Sequence, residues 1–217
     1  MKQIKCVLLD FDGTTADTTP SIIHCIDRVL EPEGLSIDHE TIARNTGYTP
    51  SQAFRLLAGC DDEQRVERIV QAYRKLYIEE GLAMITLFPR VLDTLRKLRK
   101  MGIKTAIASN NISPLITEMA QRLGMSEHLD TIVGIDHVAE GKPKPDIALE
   151  AMRRLGCEPD QTLMVGDSTF DILMGRAAGC HTCGVTYGSH DRATLLGAGA
   201  ELAVDDFADI LQFITQE

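Results

Sequence analysis

The chain has 217 residues, of which 44% are hydrophobic and 25% charged, ordinary values for a globular protein with a substantial core. Its formal charge of −10 argues against nonspecific binding to nucleic acid or to an anionic membrane surface. Six cysteines are too sparse for a disulfide scaffold, no apolar run has the length of a membrane span, and the start Met1-Lys2-Gln3-Ile4-Lys5 does not read as a signal peptide. A cytoplasmic protein is expected.

The first predicted strand, residues 4–9, runs into Asp10-Phe11-Asp12-Gly13-Thr14. Alternation along a strand sends two carboxylates one residue apart toward the same site, and Gly13 permits a turn that a Cβ would resist. Such a pair suits a divalent cation, a nucleophile and a proton donor. An acidic turn after a strand would leave the same residues.

About seventy residues of helical pattern follow, far more than one crossover between strands needs. Thr19-Pro20 opens a helix with Ile22, Ile23, Ile26, Val29 and Leu30 on one face, and Val66, Ile69, Val70, Tyr73, Leu76 and Tyr77 form a second stripe. The stripes read as the core of a small helical bundle. Because the insertion leaves directly after Asp10 and Asp12, it is expected to act as a lid over the site.

From there short apolar runs alternate with amphipathic helices. Strands are predicted at 103–108, 131–133, 162–165 and 181–185, with a weaker one at 201–204. Helices between them stop at Gly102, Gly124, Gly156 and Gly179, and Ser113-Pro114 is expected to supply an N-cap and a first-turn proline. Strand, helix, strand with short joints implies a mainly parallel sheet covered on both faces. Such sheets bind ligands at the carboxyl ends of their strands.

Three features fall at such ends. Ser109 and Asn110 sit at a strand-to-helix junction whose backbone amides can donate to phosphate, although simple capping would use the same residues. Gly141-Lys142-Pro143-Lys144-Pro145 follows the third of the main strands, its prolines stiffening the segment that carries Lys142. Leu163-Met164-Val165-Gly166-Asp167-Ser168-Thr169-Phe170-Asp171 ends another strand in acids, with Asp167 able to join Asp10 on a cation and Asp171 one helical turn on. N-capping by Asp167 is the plainer explanation of that acid. Cys180-His181-Thr182-Cys183 has zinc or redox spacing, but no second pair completes a zinc set, and a structural role is favoured.

In this order, these four segments resemble the motifs of the haloacid dehalogenase-like superfamily: Asp10-Phe11-Asp12-Gly13-Thr14, Ser109, Lys142 and Gly166-Asp167-Ser168-Thr169-Phe170-Asp171. Val185-Thr186-Tyr187-Gly188 and Leu196-Gly197-Ala198-Gly199-Ala200 resemble its phosphoglycolate phosphatase-like branch. The resemblance implies an α/β, Rossmann-like, mainly parallel sheet with an inserted all-helical C1-type cap domain: a core of residues 1–15 and 84–217 and a cap of 16–83.

It also implies roles. Asp10 is the expected nucleophile and forms an aspartyl-phosphate, Asp12 the proton donor and acceptor, and Lys142 the catalytic cation. Ser109, the Asn110 amide and Lys142 would bind the phosphoryl oxygens. Mg²⁺ would be held by Asp10, the backbone carbonyl of Asp12 and Asp167, with Asp171 orienting Lys142 or a metal-bound water. An acid at position 12 favours a phosphatase or phosphomutase over the dehalogenase and phosphonate-cleaving members, which lack one there. Arg44-Asn45-Thr46-Gly47-Tyr48-Thr49-Pro50-Ser51 resembles the loop that reads the substrate in related enzymes, making Tyr48, Thr49 and Ser51 candidate contacts, although a plain turn would use the same residues. Pro50 stands near the place where β-phosphoglucomutase-like relatives carry an arginine.

The expected activity is hydrolysis of a small phosphorylated metabolite, phosphoglycolate first, with no nucleic-acid or membrane partner. A phosphomutase, an inorganic pyrophosphatase and a noncatalytic metabolite sensor are the alternatives. The last should have lost a motif acid, and none is missing.

Overall fold

The computed structural model describes residues 3–214. The chain divides into two compact units, one built from the residues up to Ala16 and from Leu87 onward, the other from Asp17–Thr86. The chain passes between them at β2 (Ala16–Asp17) and β3 (Thr86–Leu87), strands of two residues each.

The first unit is a six-stranded sheet whose neighbouring strands all run parallel. Its strands are β1 (Cys6–Leu9), β4 (Lys104–Ala108), β5 (Thr131–Val133), β6 (Thr162–Gly166), β7 (His181–Val185) and β8 (Leu202–Val204), in the order β5-β4-β1-β6-β7-β8. β1 is therefore central, with Leu9 in register with Ile107 on one side and Val165 on the other. The residues that follow these three strands begin side by side. Strand order reverses at β1, the kind of switch point where such sheets open a crevice.

Alternation decides which face each residue covers. Cys6, Leu8, Ala106, Ala108 and Met164 pack with Ile147, Ala151 and Met152 of α7 (Asp146–Leu155) and Met174 of α8 (Thr169–Ala177). The residues of opposite parity, Val7, Leu9, Ile107, Leu163 and Val165, are as fully buried. α5 (Val91–Lys100) packs on β4 and α6 (Ser113–Arg122) on β5. Each such Leu, Val or Ile contributes roughly 1.5–3 kcal/mol by leaving water, which is why these runs are apolar on both parities.

The glycines expected to stop helices do so in the left-handed region, with φ of 74° at Gly102, 70° at Gly124, 65° at Gly156 and 78° at Gly179. Ser113 differs from expectation. It lies inside α6, the N-cap residue is Ile112, and both the Ser113 hydroxyl and its N–H donate to Asp136 at 2.7 Å. A carboxylate from the loop after β5 thus anchors the start of α6. Cys180 and Cys183 are free and buried, and burial pushes each thiol up to about 12. Neither ionises near neutral pH, and both pack as small apolar side chains.

The second unit is helical: α1 (Thr19–Leu30), α2 (His39–Arg44), α3 (Pro50–Leu56) and α4 (Glu63–Glu79), joined by turns. Ile26, Val29, Leu30, Ile42, Phe54, Val66, Ile69, Val70, Tyr73 and Tyr77 form its interior, with Phe54 and Tyr73 edge to face at 5.9 Å. Asp38 caps α2, Thr49 caps α3 and Asp62 caps α4, each accepting from backbone N–H groups of its first turn. Among the described residues no helix is long and apolar enough to cross a membrane.

Candidate active site

Strand β1 ends at Leu9, so Asp10 and Asp12 lie just past it rather than on it. Asp10 is nonetheless fixed as if still in the ladder, its N–H donating to Val165 O of β6 at 2.9 Å. The chain then turns tightly: Thr15 and Ala16 donate to Phe11 O at 3.1 and 2.9 Å, and Gly13 donates to Ala16 O at 2.9 Å. Gly13 has φ +78°, and a Cβ there would lie 2.3 Å from Asp167 Oδ2. The glycine is required both by conformation and by the approach of the carboxylate.

Asp10 is buried, and its Oδ1 accepts from Phe11 N–H at 2.7 Å and lies 2.6 Å from Lys142 Nζ. The same ammonium donates to Asp171 Oδ1 at 2.6 Å. Lys142 is itself held through its backbone, its N–H donating to Asn110 Oδ1 at 2.8 Å and its carbonyl accepting from Asn110 Nδ2 at 3.4 Å. Asp171 closes a capping box with Ser168, accepting at Oδ2 from the Ser168 N–H at 3.0 Å and hydroxyl at 2.6 Å. The N-cap of α8 is therefore Ser168, which leaves Asp167 for other work. Its Oδ1 accepts from the Thr14 hydroxyl at 2.9 Å and its Oδ2 from Ser189 N–H at 2.7 Å.

The carboxylates of Asp10, Asp167 and Asp171 offer ligand atoms within 4.8 Å of one another. Burial pushes Asp10 well above the usual carboxylate range, Asp171 adds to the rise and Lys142 opposes it. Burial and then Asp171 push Asp167 up to about 6. For Lys142 burial alone would lower the pKa, but Asp10 and Asp171 outweigh it and hold the amine charged. Three buried acids gather here, two of them in contact with the one ammonium. Their donors are all hard oxygens, so the residues present suit a hard divalent cation such as Mg²⁺ and not a soft one.

The site residues expected from the sequence divide as follows. Asp10 and Asp171 meet on Lys142, Asp167 brings a carboxylate oxygen within 4.8 Å of theirs, and Asn110 joins them through the Lys142 backbone. Asp12, half-buried in the turn, is close enough to add to the rise at Asp10. Ser109 is buried at the end of β4, its hydroxyl accepting from Asn111 N–H at 3.1 Å. Tyr48, Thr49 and Ser51 lie in the second unit at the start of α3, where the Thr49 hydroxyl and Gln52 form a capping box.

The loop after β7 is the part that sequence reasoning missed. Besides the Ser189 bond, His190 N–H donates to Asp167 O at 3.1 Å and Thr169 N–H donates to His190 Nδ1 at 3.0 Å. The Tyr187 hydroxyl donates to Thr14 O at 2.8 Å. A Cβ on Gly188 would come within 2.4 Å of Asp167. The pattern Tyr187-Gly188 after a strand was the only signal available.

Comparison with known proteins identifies the family of the chain. The family model for haloacid dehalogenase-like hydrolases matches residues 7–185. A Dickeya dadantii protein named "Probable phosphatase IndB" is 32% identical, over 94% of this chain and 91% of its own. The phosphoglycolate phosphatase of Chromobacterium violaceum is 32% identical (97% and 96%), and the pyrophosphatase PpaX of Oceanobacillus iheyensis 29% (97% and 97%). Among solved structures, a haloacid dehalogenase-like family hydrolase from Streptococcus pneumoniae superposes with a TM-score of 0.87 at 25% identity, covering 99% of this chain and 100% of that one. The strand-end acids, the parallel sheet and a match over most of the chain lead to one assignment: the protein belongs to the haloacid dehalogenase-like hydrolase family.

Proposed function

We propose that this hydrolase is a Mg²⁺-dependent phosphatase of small phosphate monoesters, acting through an aspartyl-phosphate on Asp10, with phosphoglycolate as its leading substrate. The observation that carries the reading is the Asp10 carboxylate, held at the end of β1 beside Lys142 and Asp167, with a second acid two residues on.

A carboxylate of Asp10 attacks phosphorus in line, and the bond from phosphorus to the ester oxygen breaks. Asp12 gives its proton to the departing alkoxide, then takes one from the water that attacks the intermediate; the second step releases phosphate and restores Asp10. Lys142, the Ser109 hydroxyl and the Asn110 backbone amide hold the phosphoryl oxygens, while Asp171 keeps the Lys142 ammonium aimed at them. Mg²⁺, held by Asp10, Asp167 and the Asp12 carbonyl, would supply the positive charge that offsets repulsion between a carboxylate and a phosphate dianion.

Residues 16–83 are assigned the part of a specificity cap, with Tyr48, Thr49 and Ser51 as candidate contacts to the non-phosphate end of the substrate. The relatives named phosphoglycolate phosphatase support that substrate, and those named pyrophosphatase support inorganic pyrophosphate as the second reading. A screen of phosphorylated metabolites and pyrophosphate, read as kcat/KM with Mg²⁺ and again with EDTA, decides between them. Phosphate release that persists in EDTA, or an isomerised sugar phosphate in place of free phosphate, would overturn the reading.

A further inference from the structure

Both oxygens of the Asp167 carboxylate are held, and by different loops. The Thr14 hydroxyl, from the turn after β1, donates to Oδ1 at 2.9 Å, and the Ser189 N–H, from the loop after β7, donates to Oδ2 at 2.7 Å. The plane of the carboxylate is therefore set by the spacing of these two loops. One side chain ties them together: the Tyr187 hydroxyl donates to the Thr14 carbonyl at 2.8 Å. The ring of Tyr187 is steadied against Phe88, centroid to centroid 4.5 Å, and Phe88 N–H donates to Thr15 O at 3.2 Å. Thr14 is fully buried, so its hydroxyl has little freedom except that allowed by its own backbone.

We propose that Tyr187 is a positioning residue for the divalent cation: by holding the Thr14 peptide it aims the Thr14 hydroxyl at Asp167 and fixes that carboxylate in the orientation that binds metal. The proposal rests on the reading of Asp167 as a Mg²⁺ ligand. Groups that orient a metal-binding carboxylate commonly change metal affinity by roughly 10–100-fold when removed. Tyr187 acts one hydrogen bond further out, which places the expected effect at the lower end, about tenfold.

The test is titration calorimetry of the full chain with Mg²⁺, set beside Asp167→Asn as the variant lacking the ligand. Tyr187→Phe keeps the ring on Phe88 and removes only the hydroxyl. It is expected to bind Mg²⁺ about tenfold more weakly, with kcat at saturating Mg²⁺ and KM for the phosphate ester close to those of the unaltered chain. Thr14→Val should weaken Mg²⁺ similarly, Thr14→Ser should retain the affinity, and the double variant with Tyr187→Phe should add little to Thr14→Val. If Tyr187→Phe does not fold, Thr14→Val against Thr14→Ser carries the comparison. An unchanged Kd in folded Tyr187→Phe, or a fall in Tm alone, overturns the positioning role and leaves Asp167 as a ligand. If the unaltered chain and Asp167→Asn take up Mg²⁺ alike, the metal reading itself is overturned, and this role with it.

Discussion

Lys142 Nζ and Asp10 Oδ1 lie 2.6 Å apart, both side chains almost wholly shielded from water, with Asp171 completing the contact on the other side of the ammonium at 2.6 Å. Removing one member of a buried charge pair is expensive because the other is left uncompensated, about 3–5 kcal/mol in measured cases. Lys142→Met should therefore lower stability toward that range in denaturant titrations, unless the acids take up protons instead. It should also cut kcat by roughly 10²–10³, the usual cost of losing a donor to developing charge. A folded variant with both values unchanged would contradict the role given to this contact.

Gly13 is expected to tolerate no side chain. With φ +78° and a Cβ position 2.3 Å from Asp167 Oδ2, Gly13→Ala must both strain the turn and displace a carboxylate. The left-handed conformation alone costs roughly 1–2 kcal/mol for a residue with a Cβ. The displacement should weaken Mg²⁺ binding in calorimetry by more than the loss of stability would suggest.

The strands at 131–133 and 181–185 and the helix stops were legible in the sequence because each is a local pattern of side-chain type or of backbone conformation. The four motif segments were legible because acids, a hydroxyl and a lysine at strand ends stand out from apolar surroundings. What stayed hidden was held by contacts between distant residues. Ser113 reads as an N-cap until Asp136 is brought to it by the fold. Ser189 brings its backbone N–H to a carboxylate 22 positions away. Tyr187 reaches a carbonyl 173 positions away. No window along the chain contains either pair.

Thr49 has a structural duty that can be measured by itself. Its hydroxyl accepts from Gln52 N–H at 3.3 Å and its own N–H donates to Gln52 Oε1 at 2.9 Å. Thr49→Ala should destabilise by about 1 kcal/mol in thermal or urea unfolding, and Thr49→Ser should restore most of it. A change in KM on Thr49→Ser would point to a contact with substrate through the lost methyl group.

Glu150 gives the chain one predictable response to acid. Hydrogen bonds from Arg153 and Arg154 hold its carboxyl down from 4.5 to about 2. A carboxyl whose folded pKa is depressed contributes stability above its unfolded value and loses it as pH falls through the folded value. The stability difference between the unaltered chain and Glu150→Gln should thus be constant near neutrality and shrink between pH 4.5 and about 2. The gain is small, as for most ion pairs near the surface. A difference that grows in this window would show that the Glu150 carboxyl is not held below its unfolded value.

The covalent intermediate is the most direct point of attack on the proposed chemistry. The enzyme should be quenched during turnover of a phosphate ester in Mg²⁺ and digested, and the modified peptide located by mass spectrometry. A phosphoryl group on Asp10, absent from Asp10→Asn together with all phosphate release, is the expected result. Phosphate release at an undiminished rate from Asp10→Asn, or a phosphoryl group on any other residue of the unaltered chain, would contradict it.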